Sequence, residues 1–109
     1  PKREFLHVDE LAQACIFFMK NISAEKIYDQ LKVSHVNIGT GLDISIKDLS
    51  KKIQSIIGFK GNLIFDTQKP DGTPRKLLDI SIASKLGWSA KIKLEDGLKT
   101  TIKDYIEKL

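Results

Sequence analysis

The chain is poor in the residue types that build redox, metal and transmembrane chemistry. It has one cysteine, Cys15, which rules out an internal disulfide, and two histidines, His7 and His35, with no zinc-ligand spacing. Its longest apolar run, around Ala14 to Met19, falls far short of the roughly 20 residues needed to cross a bilayer and also suits a buried helix face. Aromatic residues are only 7% of the chain and lie mostly on apolar stripes, too few for a row of base-stacking platforms. Repeats and low-complexity segments are absent. These absences predict a soluble protein with no metal site and no membrane partner. A reducing compartment, the cytoplasm, is the simplest expectation. The chain opens at Pro1 rather than at Met, as either processing or truncation would leave it.

What is present is an ordinary globular composition, 41% hydrophobic and 29% charged over 109 residues, enough for one domain. The net charge of +4 is compatible with a phosphorylated ligand, although cations spread along a chain usually form a solvated face. Arg3 to Val8 alternates and runs into Asp9, which predicts a strand leading into a helix capped by Asp9. Leu11, Cys15, Phe18 and Ile22 recur at helical spacing and put Cys15 on the buried stripe as a structural thiol. Ser23 to Leu31 reads as a short surface helix or loop. His35 to Gly39 reads as a second strand ending in Gly39-Thr40-Gly41, a weak glycine signature without the third glycine of a dinucleotide fold.

Ser45 and Asp48 resemble a capping box, and Leu49, Ile53, Ile56 and Ile57 form one face of a helix stopped by Gly58. Asn62 to Asp66 is expected to be a third strand. Asp79 or Ser81 can cap a short helix that ends at Leu86-Gly87-Trp88, where Trp88 serves as a packing anchor rather than a ligand platform. Leu94, Leu98, Ile102, Tyr105, Ile106 and Leu109 line a terminal helix, with Glu95 and Asp96 matching its dipole. The pattern is a small α/β domain with three short strands, three main helices and one short helix.

One stretch, Lys69 to Asp79 (KPDGTPRKLLD), concentrates charge and turn chemistry. Pro70 and Pro74 fix two φ angles and Asp71-Gly72 favours a tight turn, so Arg75 and Lys76 sit on a held backbone. Arg and Lys there suit phosphate oxygens, and Asp71 could accept from sugar hydroxyls; a solvated surface turn is the alternative. No nucleophile, base and acid fall into a catalytic arrangement, and His7, between Leu6 and Val8, reads as structural. Gly58-Phe59-Lys60-Gly61 matches the G-x-x-G loop of KH-type RNA-binding modules. The strand-like sequence after it and the thin basic cluster of Lys51, Lys52 and Lys60 argue against that reading, so an RNA-binding module is kept only as the alternative of another class.

Together REFLHVDELA, HVNIGTG followed by SIKDL, FDTQKPDGTPRKLLD and the LGW before the last helix resemble the C-terminal part of the GDP-L-fucose synthases. These are extended short-chain dehydrogenase/reductases that epimerise GDP-4-keto-6-deoxy-D-mannose at C3 and C5 and reduce its 4-keto group with NADPH. REFLHVD, NIGTG and LGW recur across extended nucleotide-sugar epimerases and dehydratases. The loop KPDGTPRKLLD is the specific piece. The resemblance implies a mixed-strand substrate-binding domain over residues 1–109, with Arg3, Asp71 and Lys76 as substrate-binding residues and Arg75 a weaker candidate. It further implies that the NADP-binding Rossmann domain and the catalytic residues lie upstream of Pro1. The full-length enzyme is then expected to be a homodimer acting on a GDP-sugar, and this segment by itself to be inactive. Another nucleotide-sugar epimerase, dehydratase or reductase of the superfamily is the nearest alternative.

Overall fold

The computed structural model describes every residue from Pro1 to Leu109. Strand β1 (Lys2–Glu4) lies at the centre of a three-stranded sheet of order β2-β1-β3, antiparallel to β2 (Asp43–Ser45) and parallel to β3 (Arg75–Lys76). Helices α1 (Val8–Asn21), α2 (Ile46–Ile57), α3 (Ser81–Lys85) and α4 (Leu94–Glu107) complete the mixed α/β fold, with one π-helical turn at Lys26–Gln30.

Strand number matches the sequence reading, but strand placement does not. Only β1 overlaps an expected strand, at Arg3 and Glu4, and it stops at Glu4 because the chain leaves the sheet there to enter α1 at Val8. His35 to Gly39 and Asn62 to Asp66 have β-type sequence but form no ladder, since neither finds a neighbouring strand to receive its backbone hydrogen bonds. Val36 and Ile38 nevertheless pack on the core, whereas Ile64 is 91% exposed. The strands that do form, β2 and β3, are short and charged, and non-local pairing with β1 rather than propensity makes them.

The helices follow their sequence signals more closely. Ser45 caps α2 by accepting from the Asp48 amide at 3.0 Å, and Gly58 ends it in the left-handed conformation at φ 71°. Gly87 adopts φ 101° after α3, and the Trp88 amide returns to the Ala83 carbonyl at 2.9 Å, so the indole packs back on the helix as expected. At α1 the expected cap is displaced by two residues. His7, not Asp9, is the N-cap, its Nδ1 accepting from the Asp9 amide at 3.1 Å. Histidine 7 is thus structural, although through a capping bond rather than through strand packing.

Cys15 is exposed, contrary to expectation. The buried side of α1 runs through Glu10, Ala14, Phe17 and Phe18, and a charged residue on that side hides its phase in the sequence. Glu10 is only 4% exposed, and its Oε1 accepts from the Lys91 and Ile92 amides, each at 2.5 Å. This carboxylate fixes the segment leading into α4 against the first turn of α1. It compensates for a small core in which Ala14, Ala83 and Trp88 are the buried apolar residues.

Packing is correspondingly thin. The Cα radius of gyration is 17.3 Å, with axes of 54, 34 and 19 Å. A closed domain of this length has about 13 Å. Leu11, Ile16 and Met19 stand exposed on α1. No helix is long and apolar enough to cross a membrane. Replacing Glu10 by Ala leaves two part-buried amides without an acceptor, and chemical denaturation is expected to show a loss of about 3 kcal/mol, with Glu10→Gln losing about 1 kcal/mol.

Candidate functional site

Register in the sheet decides which charged groups meet. Arg3 pairs with Lys76 across the parallel β1–β3 contact and with Ile44 on the other side, while Glu4 pairs with Asp43. Because side chains alternate along a strand, Arg3 and Lys76 share one face, and Glu4 and Asp43 share the other. Two of the three residues expected to bind substrate are therefore cross-strand neighbours. Lys2, Ser45 and Arg75 form the next row on the second face.

Each cation has a distinct state. Arg3 Nη1 donates to the Lys2 and Thr73 carbonyls, both at 2.7 Å, and its Nη2 lies against Gly72, where a Cβ would stand 3.1 Å away. Arg3 thus holds the loop while its Nε and Nη2 donors stay available to a ligand. Arg75 is committed elsewhere. Its Nε forms an ion pair with Asp43 Oδ2 at 2.5 Å, and Asp43 is nearly buried, which makes Arg75 a brace across β1. Lys76 forms no ion pair within the chain, and neither does Asp71, which is exposed beside Gly72 and is not hydrogen-bonded to Arg3 or Lys76.

An open cleft of about 550 Å³ is lined by Arg3, Glu4, Arg75, Lys76, Leu77 and Leu78. It combines cations with two apolar side chains at the sheet edge. A smaller pocket of about 180 Å³ between the end of β1 and α4 is lined mainly by Phe5, Leu6, Ile92, Leu94 and Leu98; it has one lysine, Lys93, and suits packing better than an anion. No three His, Cys, Asp or Glu side chains converge on a common point.

Glu4 is the residue of this site that sequence reasoning passed over. Its Oε2 accepts from the Gly41 amide at 2.6 Å and the Thr40 hydroxyl at 3.4 Å, and its Oε1 from the Leu78 amide at 3.3 Å. The Gly39-Thr40-Gly41 turn therefore wraps a carboxylate. It is not a phosphate cradle, because the Gly41 amide is already taken and a second anion there would be repelled. This turn thus does not fit the pyrophosphate of NADP. No local sequence signal marks Glu4, because the turn it binds lies 36 and 37 residues further along the chain. Gly58-Phe59-Lys60-Gly61 likewise lacks the setting of an RNA-binding loop: α2 ends at Gly58, Gln54 Nε2 donates to the Gly61 carbonyl at 2.9 Å, and no helix follows before Ser81.

At the loop's far end Asp79 turns the chain into α3, its Oδ1 accepting from the Ser81 amide at 2.9 Å, while its carbonyl accepts from Asn37 Nδ2 at 3.3 Å. Hydrogen bonds from the Ser81 backbone, then from its hydroxyl, hold the Asp79 carboxyl below its usual range. Desolvation opposes this, and Lys85 adds a smaller lowering. The N-cap of α3 is Ile80, not Asp79 or Ser81, so the Asp79 bond braces the turn before the helix. The lowered folded pKa of Asp79 means that this bond stabilises above the ordinary carboxylate range and is lost as pH falls through the folded value. The Ser81 amide is expected to titrate by NMR with a midpoint below that of an unperturbed aspartate, and the Asp79→Asn substitution should abolish the transition.

No protein-family model matches the chain. Its relatives by sequence include a GDP-L-fucose synthase of Escherichia coli (strain K12), 46% identical over 98% of this chain and 34% of that protein. GDP-L-fucose synthase 1 of Arabidopsis thaliana is 45% identical over 98% of this chain and 31% of that one. Among solved structures, a GDP-6-OMe-4-keto-L-xylo-heptose reductase from Campylobacter jejuni superposes with a TM-score of 0.91 at 41% identity, over 99% of this chain and 32% of that one. A GDP-mannoheptose C4 reductase of the same organism, with NADP bound, gives 0.81 at 40% identity, over 96% and 32%. The chain spans about a third of the length of these proteins.

Proposed function

From a chain that is homologous over nearly its whole length to a third of the GDP-L-fucose synthases, we propose the substrate-binding lobe of such an enzyme. In this reading Arg3 and Lys76 hold the diphosphate of a GDP-sugar, and Asp71 accepts from the nucleotide's hydroxyl or amine groups. The observation that carries it is the cross-strand pairing of Arg3 with Lys76 beside a cleft of about 550 Å³. A guanidinium with spare donors next to an uncommitted ammonium matches a diphosphate, with Arg as a fork and Lys as a point charge. Arg75, braced by Asp43 through Nε, shapes the edge and is the weaker candidate for the diphosphate.

The lobe contributes positioning. NADPH, held by the part of the protein outside this chain, supplies the hydride that reduces the 4-keto group. The catalytic residues and the NADP-binding domain lie there too, so residues 1–109 alone turn over nothing. The exposed apolar residues of α1 support a covering by that remaining part. The full-length enzyme is a cytoplasmic homodimer in this proposal.

A second reading has its own support. The C. jejuni heptose reductases match the chain at 40–41% identity, and they point to a reductase acting on a GDP-heptose. Assay of the full-length protein with NADPH and GDP-4-keto-6-deoxy-mannose, followed by identification of the product, separates the two. GDP-L-fucose supports the first reading, and NADPH consumption confined to a GDP-4-keto-heptose supports the second.

Calorimetric titration tests the nucleotide. GDP is expected to bind more tightly than UDP or dTDP, and a preference for UDP would contradict both readings. Arg3→Ala or Lys76→Ala should each weaken GDP binding roughly tenfold to a hundredfold, as loss of a charge-assisted hydrogen bond does. KM should rise by a similar factor while kcat changes little, because these contacts lie away from the reacting carbons.

A further inference from the structure

Glu4 lines the cleft yet carries the wrong charge to bind a diphosphate. Its oxygens are already engaged by Gly41, Thr40 and Leu78, groups 37, 36 and 74 residues away in sequence. No local turn or cap accounts for such contacts. We propose that Glu4 is a positioning residue for the substrate cleft: its carboxylate ties the 39–41 turn and the end of the cationic loop to β1, and so sets Lys76 opposite Arg3. The proposal rests on the substrate-lobe reading for its ligand, and on the structure of the chain alone for the tether.

Gly39 provides independent support. A Cβ at this position would lie 2.6 Å from Glu4 Oε2, 2.9 Å from Cδ and 3.0 Å from Oε1, closer than real side chains approach. Gly39 is not among the glycines at positive φ, so its backbone conformation alone does not require glycine. The close approach of the part-buried Glu4 carboxylate leaves no room for a Cβ unless that carboxylate moves aside. Gly39 and Glu4 therefore form one device, a bare backbone surface and the acid seated on it.

The strand carrying Lys76 needs such a device. Strand β3 pairs over two residues only, with one further bond from the Lys2 amide to the Pro74 carbonyl at 2.8 Å. A ladder that short has little stability of its own. Arg3 grips the loop before the strand, at Thr73, and Glu4 grips it after the strand, at Leu78. Lys76 lies between the two anchors. The adjacent residues of β1, pointing to opposite faces, thus hold both ends of the segment that presents the lysine.

The test uses the full-length protein with Glu4→Gln and Gly39→Ala, each alone and each combined with Lys76→Ala. Two quantities are measured: GDP affinity by calorimetry and amide exchange at Leu78. Glu4→Gln keeps one acceptor oxygen and loses the charge, while Gly39→Ala displaces an intact carboxylate, so the two perturb the tether by unrelated means. Each is expected to weaken GDP binding about tenfold and to speed Leu78 exchange. Added to Lys76→Ala, neither should weaken binding much further, because the lysine they position is gone. A general loss of stability would instead lower affinity equally in both backgrounds. Unchanged Leu78 exchange in both variants, or full additivity with Lys76→Ala, overturns the proposal. Should the unsubstituted protein not bind GDP, the substrate reading fails, and Leu78 exchange still decides whether the tether exists.

Discussion

The carboxylate of Glu4, seated part-buried against a bare glycine and shared between two distant amides, is the contact on which the rest of this arrangement depends. From Gly58 to Asp79 the chain is exposed, and β3 is its only regular element. Ordering such a stretch costs roughly 1–2 kcal/mol per residue in backbone entropy, and there is almost no apolar burial to offset it locally. The two prolines lower that cost by restricting the unfolded chain. The charge-assisted bonds from β1 decide where the loop sits, with Arg3 at one end and Glu4 at the other.

A second acid plays the corresponding part between α1 and the segment leading into α4. Glu10 receives the Lys91 and Ile92 amides and thereby fixes α4 relative to α1, where only small apolar residues and one tryptophan are buried. Both carboxylates accept hydrogen bonds from backbone amides, so their oxygens have satisfied partners. In a slab 19 Å thick there is little depth for a hydrophobic core, and directional polar contacts take over the task of placing one segment against another.

What could be read in the sequence follows the range of the interaction responsible. Ser45, Gly58 and the Gly87-Trp88 pair act within a few residues of the helix ends they define, and all three behave as their local chemistry requires. Strands depend on partners far along the chain. His35 to Gly39 has the right residues and no partner, while Arg75–Lys76 has unfavourable residues and a partner in β1. The buried side of α1 was out of phase with its apolar pattern because Glu10 occupies it, and Cys15 was misplaced for the same reason. For the site, the loop chemistry and the resemblance pointed to Arg3 and Lys76, and the register brings them together. Asp71 stays apart, exposed beside Gly72. Glu4 was missed because an acid in a cationic site looks like a solvated neighbour until its three donors, from 36 to 74 residues away, are known.

The central claim is that β1 presents Arg3 and, through the tethered loop, Lys76 to one diphosphate. A crystal structure of the full-length protein with its GDP-sugar tests this most directly. The account predicts diphosphate oxygens within hydrogen-bonding distance of the Arg3 guanidinium and the Lys76 ammonium, with Glu4 still bound to the Gly41 and Leu78 amides. A diphosphate seated on the Gly39-Thr40-Gly41 turn with Glu4 displaced, or one that touches neither cation, would contradict it.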